Sequence, residues 1–155
     1  MHPCIRRAVK SDLLFVFQLE RTLFPPERRE SYRSLGRSLV SPHQEVWLAL
    51  DGCQSPLAAM LLRLNRRILR IYSLGVLPHE QGKGVGRQLL NWAEERARVN
   101  RCAQLVLEVD SSDERLLRIY QELGFRSHRR LSDYYGTQCD GIRMMKSLDS
   151  KLASR

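Results

Sequence analysis

Gln81-Gly82-Lys83-Gly84-Val85-Gly86-Arg87 is a glycine-rich stretch in a chain that holds only nine glycines. It follows a β-type run, Ile68 to Leu77, that closes on Pro78, and it precedes Leu89, Leu90, Ala93 and Ala97, which share one face at helical spacing. Three loop chemistries compete for such a stretch. A Walker A loop needs four residues between its glycine and Gly-Lys and then Ser or Thr; here six residues separate Gly75 from Gly82, and Gly84 follows Lys83. A dinucleotide fingerprint reads G-x-G-x-x-G, whereas this loop reads G-x-G-x-G. The third pattern, Q/R-x-x-G-x-G/A, fits from Gln81 to Gly86 without a gap. A helix beginning there presents unpaired N–H groups and partial positive charge, and the missing side chains let a pyrophosphate approach closely. Lys83 and Arg87 add charge beside it.

Upstream, Cys4 to Val9 predicts a strand, and Ser11-Asp12 predicts a helix start ahead of Leu13, Leu14, Val16, Phe17 and Leu19. Phe24-Pro25-Pro26 stops that helix, and Pro26 or Glu27 is expected to open a second running toward Leu39. Glu45 to Leu50, a turn at Asp51-Gly52, and Leu57 to Leu64 read as paired strands, with Asn65-Arg66-Arg67 turning into Ile68 to Leu77. Downstream, Ala103 to Val109 is a compact apolar strand. Ser111-x-x-Glu114 reads as a capping box for a helix carrying Leu116, Ile119, Tyr120 and Leu123, with Gly124 as its stop. Phe125 onward and Thr137 to Leu148 supply two final strands. The order is β-α-α-β-β-β-α-β-α-β-β, an α/β mixed sheet with helices on its faces. Residues 1–148 form a single domain in this reading, and 149–155 a frayed tail.

The 155 residues suit one domain and carry 43% hydrophobic and 28% charged residues, which argues against disorder. No apolar run approaches the roughly 18–20 residues that span a membrane, and the first ten residues lack the apolar core of a secretory signal, so a soluble cytoplasmic protein is expected. Cys4, Cys53, Cys102 and Cys139 form no C-x-x-C pair and the four histidines no H-x-x-x-H pair. No metal is assigned, and the cysteines are expected as free, small buried hydrophobes. The net charge of +9 comes from dispersed arginines without the interleaved aromatics of a base-stacking platform. Direct nucleic-acid binding is therefore not expected, and a solvated basic surface is.

Leu74-Gly75-Val76-Leu77-Pro78, the loop Gln81 to Gly86, Leu107-Glu108-Val109 and Ile119-Tyr120-Gln121-Glu122-Leu123-Gly124-Phe125 together resemble the GNAT superfamily of acyl-CoA-dependent N-acyltransferases. The last two segments, with Asp133-Tyr134-Tyr135-Gly136, look most like the enzymes that acetylate protein N-termini. The nearest group is the RimI type, which acts on the N-terminal alanine of a ribosomal protein. The resemblance implies the acyltransferase fold and acetyl-CoA as acetyl donor. Leu74, Gly75 and Val76 would line the pantetheine arm, with the Val76 N–H aimed at the thioester carbonyl, where a donor stabilises a developing oxyanion. Gln81, Gly82, Lys83, Gly84, Val85, Gly86 and Arg87 would hold the pyrophosphate. Asp113 stands where the family has a cofactor-contacting Asn, and capping a helix is its other role.

Glu108 lies mid-strand on the face opposite Leu107 and Val109. An ionisable group there is either a core-edge ion pair or functional, and the resemblance implies a proton acceptor, direct or through water. Tyr120 either packs in the core or, as the resemblance implies, gives a proton to the departing thiolate. Tyr134 and Tyr135 would lie in a loop closing over the acceptor, or in an exposed turn. The implied reaction is direct transfer in a ternary complex to a primary amine. An α-amine with a pKa near 7.7–8 is easier to use than a lysine near 10.4. The expected acceptor is therefore a peptide or protein N-terminus, a ribosomal protein among the candidates. A small-molecule amine or a lysine side chain is the alternative. In another class stand a non-catalytic CoA-binding protein and a basic ribosome- or RNA-associated module.

Overall fold

The computed structural model describes residues 3–148; the expected frayed tail, 149–155, lies outside the described residues. Seven strands and four helices follow the predicted order: β1 (Cys4–Arg7), α1 (Leu13–Leu23), α2 (Tyr32–Val40), β2 (Gln44–Leu50), β3 (Pro56–Asn65), β4 (Ile68–Val76), α3 (Val85–Val99), β5 (Gln104–Asp110), α4 (Glu114–Glu122), β6 (Arg126–Leu131) and β7 (Gly141–Ser147). The sheet order is β1-β2-β3-β4-β5-β7-β6, with β4 and β5 parallel and β5-β7-β6 antiparallel. Among the described residues no helix is long and apolar enough to cross a membrane.

Two compact units share the chain. One holds the chain up to Leu64 together with Ile71–Ala93; the other holds Asn65–Arg70 and the chain from Glu94 onward. The first unit is organised by Val16 and Leu19 of α1 and Leu35 of α2 packed with Val46, Leu48 and Leu50 of β2 and Leu61 of β3. In the second, Leu105, Leu107 and Val109 of β5, Met144 of β7, and Tyr120 and Phe125 are buried. On α3, the predicted apolar face, Leu89, Leu90, Ala93 and Ala97, is buried throughout.

Several local expectations are corrected. Pro26 opens only a short 3-10 turn, Pro26–Arg28, and α2 starts six residues later than Pro26, at Tyr32. The cause is side-chain competition for the backbone. Arg29 Nε donates to Phe24 O at 2.7 Å and the Glu30 N–H donates to Glu20 Oε2 at 2.7 Å, which holds the segment extended until Ser31 caps Ser34 N–H. The box at Ser111 does not form either. The Ser111 N–H pairs with Asp140 O, and Asp113 caps α4 by accepting the Leu116 N–H at 3.0 Å. Of the four free cysteines only Cys102 is buried. Cys4 begins an edge strand, and Cys53 and Cys139 lie in turns, so none of the three positions offers a core to enter.

Candidate active site

In the first unit, β4 ends at Val76 and the chain crosses a short turn into the glycine loop. Gln81 Nε2 donates to Val76 O at 3.0 Å, fastening the start of the loop to the strand end. Gly82 and Gly84 adopt φ of +80° and +88°, the left-handed region that other residues enter only under strain. A Cβ at either position would project into open space rather than into protein. The first helical hydrogen bond runs from Gln88 N–H to Gly84 O, so the N–H groups of Val85, Gly86 and Arg87 have no earlier carbonyl within the helix. This is a cradle of backbone donors with its side chains removed, and a pyrophosphate fits its chemistry. Lys83 lies beside it, with Nζ 3.4 Å from Glu80 Oε2.

On the same unit Leu74, Gly75 and Val76 complete β4. A Cβ on Gly75 would come within 2.8 Å of Leu23 Cδ1, so α1 packs close over the strand. Next to it Glu20 is buried at 3% exposure, and its carboxylate accepts Ser73 Oγ–H at 3.3 Å as well as the Glu30 N–H. Burial pushes the Glu20 carboxyl above the ordinary carboxylate range. Sequence reasoning missed this residue, although a lone acid among the apolar positions of α1 was a readable signal.

In the second unit, Glu108 projects from the middle of β5 with its side chain only 4% exposed. Arg70 Nε donates to Oε2 at 3.0 Å, and Arg143 Nε and Nη2 donate to Oε1 at 3.2 and 3.1 Å. Arg70 Nη2 also donates to the Tyr134 hydroxyl at 2.5 Å. Glu108 is thus the centre of an ion-pair cluster that also engages Tyr134. Tyr134 and Tyr135 stack edge-on, with ring centroids 4.8 Å apart, in the turn between β6 and β7. Tyr120 is 8% exposed on α4, edge-on to Phe125 at 5.7 Å, and its phenol is pushed up to about 12 by burial. It therefore stays protonated at any physiological pH. Asp113 spends its carboxylate on the α4 cap.

Among the described residues no group of three or more His, Cys, Asp and Glu is arranged to hold a metal ion. The family model for the "Acetyltransferase (GNAT) family" matches residues 13–125.

The chain belongs to the GNAT acetyltransferase family.

Its relatives divide by acceptor. N-alpha-acetyltransferase RimI of Mycobacterium tuberculosis is 30% identical over 121 residues, covering 76% of this chain and 75% of that protein. Mycothiol acetyltransferase of Streptosporangium roseum is 42% identical over 55 residues, 36% of this chain, which spans only 16% of that relative's length. The ribosomal-protein-S18-alanine N-acetyltransferase from Escherichia coli shares the GNAT fold, with a TM-score of 0.83 at 21% identity over 94% of each chain. So does spermidine/spermine N-acetyltransferase SpeG from Vibrio cholerae, with a TM-score of 0.81 at 20% identity over 99% of this chain and 96% of that one. The resemblance read from the glycine loop and the segments around Glu108 and Tyr120 is thus matched at the level of family and fold.

Proposed function

We propose that this GNAT protein transfers the acetyl group of acetyl-CoA to the N-terminal α-amine of a peptide or protein, in the cytoplasm, with residues 1–148 acting as one catalytic domain. The observation that carries the reading is the glycine loop: two left-handed glycines with open space at their missing side chains, set at the start of α3 and followed by N–H groups that have no earlier carbonyl within the helix. When bound there, acetyl-CoA supplies an activated acetyl thioester. Gln81 to Arg87 bind its pyrophosphate, and Leu74, Gly75 and Val76 line its arm. Asp113, at the start of α4, stands at the position of the family's cofactor contact.

Glu108 accepts the proton that the attacking amine sheds, directly or through a water. Tyr120 Oη gives a proton to the sulfur as the C–S bond breaks, so one proton is taken up and one returned. A phenol kept protonated by burial is always loaded for that step. Tyr134 and Tyr135 form the wall against which the acceptor rests, and Tyr134 is held in place by Arg70. An α-amine is favoured because roughly a tenth to a fifth of it is already neutral near pH 7. The 30% identity to a RimI relative points the same way, which makes a ribosomal protein a reasonable first acceptor to try.

The test has two arms. CoA at about 100 times its dissociation constant should stabilise the fold by about 2.7 kcal/mol, and Gly84→Asp should abolish that, because a charged side chain would fill the anion cradle. A panel of peptides with free N-termini, N-blocked lysine peptides and polyamines, assayed by release of the CoA thiol, should show turnover on the first group. A melting temperature unmoved by CoA, or turnover confined to polyamines or lysines, would refute the reading.

A further inference from the structure

Glu108, Arg143 and Arg129 stand directly opposite one another across β5, β7 and β6, so their side chains share one face of the sheet. Arg70 reaches the same carboxylate from β4. Two guanidiniums therefore meet on one carboxylate, and a third, Arg129, stands next in the row. Like charges directly opposite on adjacent strands destabilise a sheet, and Arg129 faces Arg143 while Arg143 already shares the Glu108 carboxylate with Arg70. Arg129 lies exposed on the edge strand. A fold keeps such a local conflict where something else neutralises it.

We propose that this row is a specificity site for acidic acceptors: peptides whose first residues after the α-amine include Asp or Glu. The inference rests on the α-amine reading above and gives it a substrate class. Strands lie about 4.8 Å apart, so β5 to β6 spans about 10 Å, the reach of about three extended residues. An amine brought to Glu108 therefore places a carboxylate at the second to fourth residue against Arg143 and Arg129. Guanidiniums recognise carboxylates through paired, charge-assisted hydrogen bonds. The same row repels a polycationic amine. A nucleic acid would use the arginines but has no basic aliphatic amine to present to the carboxylate at their centre.

The test uses the whole chain and three peptides that differ only at residues two to four: Asp/Glu, Asn/Gln or Lys. Binding is measured by calorimetry with CoA present, and turnover by thiol release at saturating acetyl-CoA. The acidic peptide should bind about 10-fold more tightly than its neutral isostere, with the difference in KM rather than kcat and shrinking as salt rises. Arg129→Gln should erase that preference while leaving the neutral peptide's turnover and the KM for acetyl-CoA unchanged, and Arg129→Lys should retain part of it. Equal binding of acidic and neutral peptides overturns the proposal. So does an Arg129→Gln effect that falls on acetyl-CoA, which would give the row to the cofactor's phosphates, or on single-stranded RNA alone. Absence of binding and product with every peptide, while CoA still stabilises the fold, overturns the α-amine reading and this proposal with it; equal use of all three overturns only this one.

Discussion

Glu108→Gln separates the two things Glu108 is asked to do. The carboxylate is 4% exposed and accepts three guanidinium N–H bonds, so the substitution removes the charge that two arginines share. Removing one partner of a fully buried pair costs about 3–5 kcal/mol. Here the Arg70 and Arg143 side chains are 29% and 32% exposed, water takes up part of what the carboxylate gave, and the amide oxygen keeps one acceptor. A loss of about 2 kcal/mol follows, which in a chain of this length lowers Tm by roughly 4–8 °C. Catalysis should fall by about 10²-fold or more as well, and it should fall unevenly. The variant loses most at pH 6, where the amine needs deprotonating, and recovers toward pH 9 as free amine accumulates. The assay is thermal unfolding without ligand, followed by thiol release across pH 6–9 at a temperature well below the variant's midpoint. A Tm within about 1 °C of wild type would refute the ion-pair account. Wild-type rates across the pH range would refute the catalytic one.

Tyr120→Phe should lower kcat by about 10²-fold or more with little change in acceptor KM. Because the phenol is pushed up to about 12, the wild-type kcat profile should show no fall from loss of this acid below about pH 10. Glu20→Gln should flatten the pH dependence of stability. The folded-state pKa of Glu20 is raised, so its contribution is fully present below the ordinary carboxylate range and is lost as pH rises through the higher folded value. Urea midpoints at several mildly acidic pH values would show the wild type losing stability over that window and the variant not. Asp113→Asn keeps an oxygen for the Leu116 N–H, so Tm should hold within about 2 °C. CoA titration should then show tighter binding, because a negative charge has been taken from beside an anionic ligand.

Much of the framework was legible because its signals are local. The run Ile68 to Leu77, the glycines from Gly82 to Gly86, the apolar face of α3 and the stop at Gly124 each sit within a few residues of the structure they specify. Gly124 does adopt a left-handed φ of +96° just beyond α4. The errors arose where a side chain from elsewhere claimed a backbone group. Glu20 holds the Glu30 N–H from ten residues away and so delays α2, and Asp140 O takes the Ser111 N–H that a capping box would have used. The site was legible in its members but not in their company. Glu108 stood out as a charge in an apolar strand. Its partners Arg70 and Arg143 lie 38 and 35 residues away, brought in by strand order that no short pattern encodes. The same holds for Arg129, which in the sequence is one of many arginines and in the sheet stands opposite Arg143.

Gly141, where β7 begins, has no unusual backbone angle to justify it. A Cβ there would sit 3.1 Å from Tyr134 Cβ and Cδ1 and 3.2 Å from Cγ, closer than ordinary van der Waals contact. The ring would have to shift by a few tenths of an ångström, and its hydroxyl is the one that Arg70 grips beside Glu108. In a mutational scan, Gly141 would therefore score as sensitive for activity without touching any ligand and without strong loss of fold. That sensitivity is conditional. With glycine at 134 the space opens and alanine at 141 adds no further loss, so the two positions form an epistatic pair in which the cost of one change depends on the other.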